Sequence, residues 1–285
     1  MALNYAAPTP LGYFATLVQS DDEFPLLEAA ASLAQDEHPT LDMQLVLDEV
    51  DQLLVRLTRR VVRGSPAVQR LQVLNRFFYG DLGFGGNLNH YHDPGNSNLA
   101  AVLRTRRGIP ISLAVLWMEL AQGIGLEVQG VAFPGHFLVR ALLPDGQTLL
   151  DPFNGHSLTR GELEERLEPF QHPAAHSKTL SYPRKRVPLG VYLQPATPRD
   201  IVARMLRNLK EVHHAQQDWL RLLAVQERLV CLLPTVWSEW RDRGLVHAQC
   251  GHLEAAALDL EKYVAHCADE PDCERMQTIL ADLRS

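Results

Sequence analysis

His136 and Asp151 stand in the stretch VAFPGHFLVRALLPDGQTLLDPFNG, residues 131–155, on the two arms of an expected β-hairpin. A histidine oriented by a carboxylate is two thirds of a nucleophilic triad: it can take a proton from an attacking thiol, hydroxyl or water. With the turn centred on Asp145-Gly146, position 136 lies opposite 155, and residues 155, 153 and 151 share its face. The two side chains then point the same way but several residues apart, and strand coiling or a bulge has to close the gap. The plainer alternative makes His136 an ordinary strand-edge residue and Asp151-Pro152 the end of a strand.

The elements that must position this pair can be read from periodicity. Short strands are expected over 126–133, 137–143 and 148–153. Before them, residues 111–121 are apolar nearly all round, Pro110 stands where a first helical turn tolerates proline, and Gly123 and Gly125 end the run. Such a helix must be buried. Its start, with free N–H groups and a positive dipole end, is where a thiolate and its oxyanion are stabilised. A cysteine there would complete a papain-like or transglutaminase-like site.

The stretches DPGNSNLAAVLRTRRGIPISLAVLW, GIGLEVQGVAFPGHFLVR, LLDPFNG and WSEWRDRGLVHAQCGHLEAAALDLEKY resemble the SirB-type (invasion-regulator B) family. Its members join a transglutaminase-like core to C-terminal tetratricopeptide repeats. The resemblance implies an α+β fold: a transglutaminase-like (papain-like cysteine-proteinase) core with a helical N-terminal part and C-terminal helical hairpins. It places the superfamily's histidine on His136 and its aspartate on Asp151. The cysteine of such cores lies in a G-x-C-x-x-x-A setting, here Gly108-Ile109-Pro110-Ile111-Ser112-Leu113-Ala114, so Pro110 holds the nucleophile's position. Ser112, two residues on, is the candidate replacement; a helix-start serine bonded to backbone is the competing role.

Around this core, residues 1–78 read as a helical N-terminal part, with Leu47, Val50, Leu54 and Leu57 on one face. Residues 79–170 form the core proper and open on a Gly/Asn-rich loop over 79–98. An irregular connection over 171–197 precedes a helical region, 198–285, which begins at Thr197-Pro198-Arg199-Asp200. There Trp240, Gly244, His247, Ala256 and Leu260 carry tetratricopeptide spacing, and the preceding window keeps only Leu206 and Pro234. Two repeats fall short of the three or more that stand alone, so this region is expected to pack on the preceding domain.

Asn96, Ser97 and Asn154 flank the expected cleft and are candidate binding residues as well as candidate turn formers. His90, His92 and Asp93 could join His136, Asp151 and His156 as metal ligands, but His90 and His92 fall in the Gly/Asn-rich loop, outside the stretches that carry the resemblance; no metal and no cofactor are assigned. A net charge of −7 argues against nucleic acid as main partner. No run approaches the length of a membrane span, and no leader is evident, so a cytoplasmic location is expected. The four cysteines contain no C-x-x-C and read as reduced, mostly buried residues. Two functions follow. The first is a regulatory protein whose cleft binds a peptide or protein segment, its oligomeric state open. The second is a hydrolase or acyl-transfer enzyme using His136 and Asp151 with Ser112 or water.

Overall fold

In the computed structural model, which describes residues 8–171, 187–268 and 270–284, the apolar run after Pro110 is a helix. In chain order the helices are α1 (Pro10–Leu17), α2 (Leu26–Ser32), α3 (Met43–Thr58), α4 (Ala67–Asn75), α5 (Leu99–Thr105), α6 (Pro110–Gly123), α7 (Arg160–Gln171) and α8 (Leu189–Tyr192), followed by α9 (Pro198–Gln216), α10 (Trp219–Leu232), α11 (Trp237–Gln249), α12 (Leu253–Val264) and α13 (Cys273–Arg284). β1 (Gly85–Gly86) pairs in parallel with β2 (Arg107–Gly108). An antiparallel sheet runs in the order β3 (Glu127–Val131), β4 (Leu138–Leu143), β5 (Gly146–Leu150), β6 (Ser157–Leu158). Contacts divide the chain into two units, residues 44–91 with 95–197 and residues 1–43 with 92–94 and 198–285.

In the first of these units α6 packs on β3 and β4. Residues from Pro110 to Met118 are buried on every side of it, as an apolar helix without a polar face must be. The hairpin register pairs Leu143 with Gly146, so the turn is Pro144-Asp145 and not Asp145-Gly146. Alternation then puts Leu138 and Leu149 on one face, where they meet Leu163 and Leu167 of α7 with Val131 and Phe133. Val139, Ala141 and Leu150, also buried, take the other face. The expected loop over 79–98 contains β1; α5, capped by the Asn98 side chain on Ala101 N–H, follows it, and β6 lies between β5 and α7. Of the expected irregular connection over 171–197, residues 172–186 lie outside the described residues, and 189–192 form α8.

In the other unit α9–α10 and α11–α12 form successive helical hairpins, and α13 packs on α12. Gly244 permits the close approach: a Cβ there would stand 3.1 Å from Leu260 and 3.2 Å from the Ala256 carbonyl. The helical run to residue 78 is divided between the two units. α1 and α2 pack on α10 and α9, burying Phe14, Ala29, Ala30 and Ala31, while α3 beyond Met43 and α4 belong with the sheet. Apolar cover is the reason, because two hairpins leave faces that no third repeat encloses. One expectation for the cysteines is corrected here. Cys267 and Cys273 form a disulfide with Cα atoms 5.5 Å apart, brought together by the end of α12 and the start of α13. Cys231 and Cys250 are free. Among the described residues no helix is long and apolar enough to cross a membrane.

Candidate functional site

Phe133-Pro134-Gly135-His136 is a tight turn closed by His136 N–H on the Phe133 carbonyl at 3.0 Å, with Gly135 at φ 68°. Proline followed by a left-handed glycine is the signature of a type II turn. His136 therefore ends a turn before β4, not a strand. Asp151 follows β5 and opens a second turn: Gly155 N–H bonds to its carbonyl at 2.7 Å, and Phe153 N–H bonds to its side-chain Oδ1 at 3.0 Å. The corrected register sets position 136 opposite 153, one same-face step from 151. The two turns close what remains, without a bulge. Nε2 of His136 lies 2.8 Å from Asp151 Oδ1. Because a carboxylate only accepts, Nε2 carries the donated proton, and in the neutral imidazole Nδ1 is the acceptor nitrogen.

α7 completes the carboxylate's shell. Its Leu163 and Leu167 dock into the sheet, and Arg166 between them reaches Asp151 Oδ2 at 3.0 Å. The Asp151 side chain is 5 % exposed, those of His136 and Arg166 21 % and 39 %. Burial alone would raise the Asp151 carboxyl, but the bond and charge of His136, the Phe153 N–H and Arg166 outweigh it and hold the carboxyl below its ordinary value. Beneath the second turn, Tyr79 donates its hydroxyl to the Pro152 carbonyl at 3.2 Å, and its ring lies against Gly155. Burial, then the nearby Asp151 charge, pushes the Tyr79 phenol up.

The other candidates are placed differently. Pro110 is buried at the first position of α6. Ser112, 0 % exposed, accepts from Ile109 N–H at 3.2 Å and directs its proton between the Asn96 and Ile109 carbonyls, 2.6 and 2.9 Å away. Its hydroxyl is therefore spent on backbone at the helix start. Asn96 is buried too: its amide nitrogen donates to the His90 and Tyr91 carbonyls at 2.6 and 3.1 Å, and its oxygen accepts from Asn87. It ties the Gly/Asn-rich loop together. Ser97 is buried. Asn154 is exposed and caps the turn after Asp151, accepting from His156 N–H at 3.0 Å. Among the described residues no three His, Cys, Asp or Glu side chains converge as metal ligands. Arg166 and Tyr79 are the site residues that sequence reasoning missed. The Leu163/Leu167 spacing, read as a docking face, would have drawn attention to Arg166.

Fold and site together define a transglutaminase-like protein carrying helical repeats. The description "Transglutaminase-like superfamily" matches residues 44–207, and "Tetratricopeptide repeat" matches residues 209–281. The chain belongs to the transglutaminase-like superfamily. It is similar to the "UPF0162 protein" of Xylella fastidiosa (strain Temecula1), 37 % identical over 92 % of this chain and 91 % of that one. It is also similar to "UPF0162 protein YchA" of Escherichia coli K12, 28 % identical over 90 % and 93 %, and to "Protein SirB1" of Salmonella typhimurium, 26 % identical over 87 % of each. No solved structure matches. Tetratricopeptide repeats generally mediate contacts with other proteins.

Proposed function

We propose that this is a cytoplasmic regulatory protein whose transglutaminase-like site binds a peptide or protein segment without cleaving or transferring it, the repeat helices supplying a second protein-binding surface. One observation carries the reading. The His136–Asp151 pair is assembled and partly open, while the helix start that supplies the nucleophile in such cores carries Pro110, and the nearby Ser112 hydroxyl is bound to backbone. Proline has no group that attacks a carbonyl. The experiment is incubation of the purified chain with peptide and amide libraries. Binding without turnover is expected, with His136→Ala weakening binding. Turnover abolished by His136→Ala overturns the reading.

A hydrolase using water is the second reading, and it has one observation in its favour. The 2.8 Å contact is within the roughly 2.6–3.2 Å reach required of a histidine and its orienting carboxylate. In that case His136 Nδ1 takes the proton of a water, and the same incubation reveals slow turnover.

A further inference from the structure

His136 and Arg166 approach one buried carboxylate from different elements, and both keep a face to solvent while the carboxylate does not. Their donors go to the two oxygens of a single planar group, at 2.8 and 3.0 Å, so the two side chains are held side by side. Arg166 has five N–H donors and gives one of them to Asp151. Glu162, four residues earlier on α7, accepts from the Thr159 N–H at 2.7 Å and hydroxyl at 2.6 Å; these bonds first, and the Arg166 charge after them, hold its carboxyl low. One turn further along α7, Phe170 lies across Gly135, the residue before His136, with half of its surface exposed. The open face thus consists of the accessible part of the guanidinium, part of the imidazole and an aromatic edge.

We propose that Arg166, beside His136, forms a receptor for a carboxylate, with Phe170 as its apolar flank. This rests on reading the site as one that binds a peptide segment, and it names what anchors that segment: an acidic group beside an apolar one. The planar fork of arginine suits a carboxylate. The carboxylate can be a chain terminus or an acidic side chain.

The test uses the full chain, with the ring C–H resonance of His136 followed by NMR. Three probes at millimolar concentration are N-acetylphenylalanine, its amide, and N-acetylaspartic acid α-amide. N-acetylphenylalanine is expected to move the His136 resonance and its amide to bind roughly tenfold more weakly, the factor that one charge-assisted hydrogen bond contributes. A response to the aspartyl probe assigns the anchor to an acidic side chain as well; silence from it assigns the anchor to a chain terminus. Arg166→Gln should remove the preference for acid over amide, and Arg166→Lys should keep part of it. Comparing acid with amide on the unaltered chain does not depend on how the variants fold. Equal binding of acid and amide, or an acid response unchanged in Arg166→Gln, overturns the carboxylate receptor and leaves peptide binding standing. If none of the three moves His136, the receptor is overturned, and whether longer peptides still bind decides the underlying reading separately.

Discussion

At Ser112 and Asp151 the same kind of group, an oxygen-bearing side chain beside a helix or strand end, has two different fates, and the surroundings decide which. Ser112 is enclosed, and its hydroxyl bridges Ile109 N–H to nearby carbonyls. Removing it in Ser112→Ala strips one bond each from buried backbone groups that keep longer partners, which costs about 1 kcal/mol in urea unfolding. Ligand affinity at His136 should not change; a loss of affinity larger than the loss of stability would place the hydroxyl in the site. Asp151 is different because its partners are ionised or polarised. Its carboxyl is held below the ordinary 3.8 when folded. A carboxyl depressed in this way contributes stability that is complete above the unfolded value and is lost as the pH falls through the folded one. Thermal melts between about pH 5 and 2 should therefore fall more steeply for the native chain than for Asp151→Asn. Parallel curves would remove the ionised carboxylate from the account.

Two short turns and one amphipathic helix do the positioning, and they differ in how plainly the sequence announces them. The Pro134-Gly135 pair is an explicit turn signal, and the apolar run after Pro110 admits no exposed face; the helix and the approximate strands follow from residue type alone. The exact register does not, because Asp145-Gly146 and Pro144-Asp145 are both acceptable hairpin turns, and only pairing across the sheet selects the second. Nor does Arg166 stand out, since it lies in a stretch whose many charged residues read as solvated. Its role comes from Leu163 and Leu167, whose burial fixes the helix's rotation. Leu167→Ala tests this. Loss of a fully buried leucine should cost about 2–5 kcal/mol of stability. Because the same helix aims Arg166, the His136 resonance should broaden or shift under conditions where the variant is still folded. An unchanged resonance at full population of the native state would make α7 a mere cover.

Across the whole chain, what a local pattern cannot reveal is which distant segments share a core. α1 and α2 precede the sheet yet cover the repeat helices, and no periodicity in residues 10–36 points to partners near residue 228. Beside that apolar cover stands a polar contact. Arg228, fully buried on α10, forms two 2.7 Å bonds to Asp36 and a 3.2 Å bond to the Ser32 carbonyl, with its guanidinium 4.8 Å from the centre of the Phe14 ring. A buried pair contributes little net stability against an apolar replacement, but breaking it strands a charge, so Arg228→Ala should cost about 3–5 kcal/mol. Asp36→Ala strands the buried Arg228, whereas Arg228→Ala strands Asp36, which keeps some access to solvent, so Asp36→Ala should cost at least as much. The double variant then decides whether the contact or the side chains' separate packing holds the chain's two ends together. If the contact does, denaturant unfolding of Asp36→Ala/Arg228→Ala will show a loss smaller than the sum of the single losses by about 1–3 kcal/mol, the coupling expected of residues in one buried network. Strict additivity would mean that α1 and α2 are held by their apolar faces alone, with Phe14 and the alanines of α2 sufficient to select the repeat helices as their partner.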